Sequence, residues 1–79
     1  MKLQPIALTD LSRDAEAQVV HVDASVAGRL FAFGLYPGVR VRILQRFPGL
    51  VVKTEETEVA LERRVARLVA VVPWEGEGS

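Results

Sequence analysis

The sequence has no cysteine and only one histidine among its 79 residues. No disulfide framework, thiolate metal site or cysteine nucleophile can form, and the composition suits a reducing cytoplasm. Aromatic side chains are few: three Phe, one Tyr and one Trp. That is sparse for the base-stacking platforms of nucleic-acid-binding barrels. It is also sparse for a groove that grips Pro-rich ligands, once the core has taken its share. Net charge is lacking too, because ten basic residues balance ten acidic ones, so no overall basic footprint favours nucleic acid. No apolar run approaches the ~20 residues of a membrane span, and the first residues do not resemble a signal peptide. Nucleophile elbows, phosphate-binding glycine loops and triad constellations are absent. A barrel of this size is filled by its own side chains, leaving no pocket to tune paired carboxylates. Catalysis is not expected, and no cofactor is implied.

What remains is a chain with 49% hydrophobic residues, enough to fold but with room for one domain only. Residues 1–73 read as that domain, and residues 74–79, Trp74-Glu-Gly-Glu-Gly-Ser, as a disordered tail. Leu8 and Leu11 are candidate core contacts ahead of a polar loop over residues 12–17. Alternation predicts strands over Gln18–Asp23, Val39–Phe47, Leu50–Thr54, Thr57–Leu61 and Arg67–Val72. In the first, Val20 and Val22 share one face. In the second, Val39, Val41, Ile43 and Phe47 share one face while Arg40, Arg42, Leu44 and Arg46 share the other. Glu55-Glu56 forms a tight hairpin turn, and residues 62–66 can make a single helical turn. Five short strands and one helix between the first two predict a mainly β, five-stranded small barrel, a closure that removes exposed sheet edges.

The most informative stretch is Arg29-Leu-Phe-Ala-Phe-Gly-Leu-Tyr-Pro-Gly38. Val26, Leu30 and Phe33 fall at i, i+4 and i+7 on one helical face, with Ser25 or Asp23 as the N-cap. Gly34 follows the last periodic residue, where a left-handed backbone needs no Cβ. Pro37-Gly38 then supplies the two central positions of a type II turn. This order, R-L-x-x-x-G-L-x-P-G followed by alternating valines, resembles the FeoA family (ferrous iron transport protein A). A second segment, Glu58-Val-Ala-Leu-Glu-Arg-Arg-Val-Ala66, is similar to that family's A-L-R-x-x-x-A stretch. The clipped Phe47-Pro-Gly-Leu50 turn and Glu55-Glu56-Thr57 depart from its glycine-rich pattern, which alters the surface a partner would read. The resemblance spans roughly residues 8–72. It implies an SH3-like barrel and a cytosolic accessory of the FeoB ferrous iron transporter, a membrane protein with a cytosolic GTP-binding domain.

Among candidate sites, His21 and Asp23 lie two apart on one strand face, short of the three or four ligands that iron or zinc needs. Glu55, Glu56, Glu58 and Glu62 match no cation loop and read as solvated surface. Arg40, Arg42 and Arg46 form a basic stripe, joined by Arg63, Arg64 and Arg67. The stripe suits an acidic partner or phosphate backbone, and equally a solubilising face. Aromatic and apolar residues at the helix end suggest a protein interface. The expected partner-binding set is therefore Phe31, Leu35 and Tyr36, extended by Arg40 and Arg42. Alternatives are a free-standing regulatory barrel that binds RNA, or a module for an unrelated protein. DtxR-type repressors carry similar domains, but after a helix-turn-helix that this sequence lacks.

Overall fold

The computed structural model describes residues 4–74. A two-residue strand, β1 (Ile6–Ala7), runs into a 3₁₀ turn at Leu8–Asp10, followed by β2 (Glu16–Val22) and α1 (Ala24–Ala32). Next come β3 (Arg40–Gln45), β4 (Leu50–Lys53), β5 (Glu58–Leu61), the single-turn helix α2 (Arg63–Ala66) and β6 (Val69–Pro73). All neighbouring strands are antiparallel, in one sheet ordered β1-β6-β2-β3-β4-β5. The architecture is mainly β and SH3-like, but it differs from the expected closed five-stranded barrel. There are six strands, and no ladder joins β1 to β5 among the described residues. The additional strand is only two residues long, too short for any periodicity to announce it.

Among the described residues, seventeen buried side chains form the core, and all of them are aliphatic. Leu8 and Leu11 belong to it as expected. β6 lies between β1 and β2, with Val69 and Val71 fully buried and Ala70 and Val72 half-buried, which explains its nearly unbroken apolar sequence. The strand continues through Pro73, and the Trp74 N–H donates to the Glu16 carbonyl at 2.8 Å. Trp74 is thus tied to β2, while the rest of the expected tail lies outside the described residues.

Two bulges break the alternation read from the sequence. Between β2 and β6 the register shifts between Val19 and His21, so Val20 is the extra residue. Val19 and Val22 both face the core, whereas Val20 is exposed, contrary to the expected pairing of Val20 with Val22. Between β3 and β4 the shift lies between Ile43 and Gln45. The strand ends there, and Phe47 leaves the core face to stand 66% exposed. An added residue reverses which face every later side chain takes.

Asp23 is the N-cap of α1. Its carboxylate accepts from the Ser25 backbone N–H at 3.0 Å and from the Ser25 hydroxyl. The C-terminus is a Schellman motif: Gly34 N–H donates to Phe31 O at 3.0 Å and Leu35 N–H to Leu30 O at 2.9 Å, with Gly34 at φ +89°. This geometry returns the chain against its own helix and drives Leu35 into the core beside Leu30, both essentially inaccessible. Phe33, at the C-cap, is left 53% exposed and does not join the core stripe.

Candidate partner-binding groove

The Schellman motif leads directly into the next turn. Val39 N–H donates to Tyr36 O at 3.1 Å, and Gly38 takes φ +102°, as a type II turn requires at that position. A Cβ on Gly38 would meet no atom within 4 Å, so the demand for glycine is one of backbone conformation rather than space. Val19 fixes the turn to β2 through Gly38 N–H to Val19 O at 2.7 Å and Val19 N–H to Val39 O at 2.8 Å. The backbone between helix and strand is therefore held at both ends.

Facing this turn is the β4–β5 hairpin. Its two-residue tip, Glu55-Glu56, is organised by the buried Thr54, whose hydroxyl accepts from Glu56 N–H at 3.3 Å and Thr57 N–H at 3.2 Å. The Thr54 N–H donates to Thr57 O at 2.8 Å. The two turns come close: a Cβ built on Gly34 would lie 4.0 Å from the Thr57 methyl. Between them runs an open groove of about 700 Å³, whose lining includes Phe31, Phe33, Tyr36 and Trp74 together with Glu55 and Glu56. The Phe31 and Tyr36 rings lie 5.0 Å apart, tilted by 46°, a separation typical of paired aromatic rings. Arg40 enters the groove with its guanidinium 4.1 Å from the centre of the Trp74 ring.

Of the residues expected to bind a partner, Phe31, Tyr36 and Arg40 line this groove. Leu35 does not, and its place in that set is corrected: it has no accessible surface, because the Schellman turn directs it inward. Arg42 lies elsewhere. It pairs with Glu16 through its Nε at 3.1 Å and its Nη2, in a cross-strand row Glu16–Arg42–Lys53–Glu58 on the outer sheet face. Phe33 and Trp74 were missed as groove residues. One was assigned to the core by helical spacing, and the other to a tail.

The basic stripe is not continuous. Arg40 covers Trp74, Arg42 is bound to Glu16, and Arg46 turns inward to donate to the Thr9 carbonyl at 3.1 Å. Arg63 donates to Arg46 O at 2.9 Å and lies 4.8 Å from the Phe47 ring, on a separate surface near α2. Asp23 is engaged with Ser25, and no cluster of three or more candidate metal ligands occurs among the described residues.

Two carboxylates carry a pH signature. The Ser25 hydroxyl and backbone N–H hold Asp23 below its ordinary value of 3.8. Hydrogen bonding from Arg42, with its charge and that of Arg40, holds Glu16 below 4.5. A depressed folded-state pKa gives stability that is fully present above the unfolded value and lost as pH falls through the folded one. Asp23→Ala and Glu16→Gln are therefore expected to lower the melting temperature at pH 7. Their difference from wild type should shrink below about pH 4, as thermal melts at the two pH values would show. The effects will be small because both groups are solvent-exposed.

Comparison with known structures agrees with this architecture. A crystal structure of an iron uptake regulatory protein (FeoA) superposes with a TM-score of 0.82 at 20% identity, covering 91% of this chain and all of that one. The solution structure of FeoA from Chlorobium tepidum gives 0.78 at 23% identity, covering 92% and 75% of the two chains. T. acidophilum IdeR gives 0.82 at 17% identity, with 94% of this chain matched to 36% of that longer one. No curated protein matches the sequence. No helix among the described residues is long and apolar enough to cross a membrane. The FeoA domain model matches residues 6–73, nearly the whole of the described structure, and the chain belongs to the FeoA domain family.

Proposed function

We propose that the protein is a cytoplasmic accessory of ferrous iron uptake that binds the cytosolic part of a FeoB-type membrane transporter, assembling or regulating it. The observation that carries this reading, within a FeoA-family chain, is the concentration of aromatic side chains in one surface groove. A small domain whose hydrophobic core is wholly aliphatic and which leaves Phe31, Phe33 and Tyr36 in water presents apolar surface that a partner would cover. The role is one of binding rather than catalysis: an adaptor shifts a transporter between states only by binding those states with different affinity. Division of the arginine stripe among Trp74, Glu16 and Thr9 weighs against an RNA-binding barrel, which needs those cations free for phosphate.

The test is calorimetric titration of the protein into the purified transporter of the same organism, with and without guanine nucleotide. Saturable binding is expected, and a nucleotide-dependent affinity would identify the state favoured. Absence of binding between two folded proteins would remove the transporter as partner.

A further inference from the structure

We propose that the tip of the β3–β4 hairpin, together with α2, docks on the surface of an anionic lipid bilayer. This docking is independent of the transporter reading, and none of the residues that carry it lines the groove. Phe47, at the tip, is 66% exposed, more than any other large apolar side chain among the described residues. Pro48 beside it is exposed as well.

The sheet register gathers arginines around this ring. Leu50 pairs with Leu61, so the tip just before β4 stands beside the chain that leaves β5 for α2. The approach is close: a Cβ on Gly49 would lie 3.3 Å from the Leu61 carbonyl oxygen. The Arg63 guanidinium lies 4.8 Å from the centre of the Phe47 ring, and that of Arg46 lies 5.7 Å from it. Val65 and Ala66 take the buried side of the helical turn, which leaves Arg64 and Arg67 exposed beside Arg63. Arg46 also reaches the Thr9 carbonyl, and Arg63 reaches the Arg46 carbonyl. The tip is thereby tied both to the 3₁₀ turn and to α2.

Charge selects what this surface meets. Residues 46–50 and 62–68 hold four of the ten basic residues of a chain with no net charge, and one of its ten acidic residues, Glu62. Asp10, on the adjoining 3₁₀ turn, is a second carboxylate, so four positive charges stand against two negative ones. The Arg64–Glu62 pair is solvent-exposed on both sides and therefore weak. Arg46 and Arg63 donate to backbone carbonyls, which are neutral and leave their charge uncancelled. An RNA phosphate would compete for those occupied donors, whereas a charged lipid surface acts on the charge itself within a Debye length of about 8 Å. A single ring also offers no platform for successive bases. It does suit a bilayer interface, where aromatic rings settle among the headgroups and arginine stems lie along apolar surface with their guanidinium groups at the phosphates.

The probes are vesicles of phosphatidylcholine alone, and of phosphatidylcholine with about one-third phosphatidylglycerol, co-sedimented with the protein at low salt. Binding to the anionic vesicles should be at least about tenfold stronger than to the neutral ones, and the preference should vanish by about 0.5 M salt. Phe47→Ser should lower the partition coefficient by about fivefold. The pair Arg64→Gln, Arg67→Gln should lower it by about tenfold or more, since each charge near such a surface is worth about fivefold. Thermal melts confirm that both variants are folded. In a Phe47→Trp, Trp74→Phe variant, emission should move to the blue on anionic vesicles as the ring leaves water. The proposal is overturned by no binding at about 5 mM anionic lipid, by equal binding to neutral vesicles, or by unchanged partition of folded Phe47→Ser. Unshifted emission of the vesicle-bound tryptophan variant also overturns it. Saturation by soluble glycerol phosphate at about 1 mM would show an anion site that needs no bilayer, and tighter binding of oligouridylate than of vesicles would assign the patch to nucleic acid. Either result replaces the lipid surface as the occupant.

Discussion

Replacing Leu35 by Ala is expected to destabilise the protein by about 2–5 kcal/mol, the range for truncating a fully buried leucine. Leu35 has no accessible surface and closes the Schellman motif against Leu30. The substitution removes apolar burial and leaves a cavity where the helix returns to the sheet. A domain of 79 residues has little reserve, and the whole folding free energy is on the order of 5–15 kcal/mol. The melting temperature should fall by at least about 10 °C. Phe33→Ala, two residues earlier in the same turn, should change stability by less than about 0.5 kcal/mol, because its ring faces water. Urea unfolding of the two variants side by side checks the assignment. A larger loss for Phe33→Ala would mean that the helix end packs the opposite way.

The second large effect is on binding. A Phe31→Ala, Tyr36→Ala variant should bind the transporter's cytosolic part at least about 30-fold more weakly while keeping its wild-type fold. Paired aromatic side chains at the centre of a protein interface each contribute roughly 2 kcal/mol or more when truncated. Both rings are exposed and in mutual contact, so their removal takes surface from a partner and little from the core. A variant pairing Leu35→Ala with Tyr36→Ala cannot make this distinction, since the loss of Leu35 damages the fold itself. Conversely, Arg42→Ala should leave the affinity near wild type, because that guanidinium is engaged with Glu16 outside the groove.

Much of the fold was legible in the sequence because its punctuation is chemical. Gly34, Pro37 and Gly38 stand where positive or fixed φ is needed, and the structure uses each in that way. The Glu55-Glu56 turn and the helix between the first two long strands are where alternation and capping place them. The misassigned side chains share a cause. Periodicity assumes unbroken elements, whereas Val20 is itself the extra residue of a bulge, Phe47 follows one and Phe33 stands at a helix C-cap. Leu35 could have been assigned inward from sequence alone, since a glycine C-cap commonly brings the next apolar residue back onto the helix. The groove could not be read in this way. Trp74 reaches it from the far end of the chain, and Glu55 and Glu56 from a different hairpin, through strand pairings that no local pattern specifies. Phe31 and Tyr36 were visible because they flank the same helix end and its following turn.

The most direct test of the central claim is to map the partner's footprint by amide chemical-shift changes in the labelled protein on titration with the unlabelled cytosolic part of the transporter. The account predicts that perturbed amides cluster at residues 31–40, 54–57 and 74, while His21, Arg63 and Arg64 remain unmoved. A footprint centred on Phe47 and α2, or on the charged outer face around Arg42 and Lys53, would contradict it.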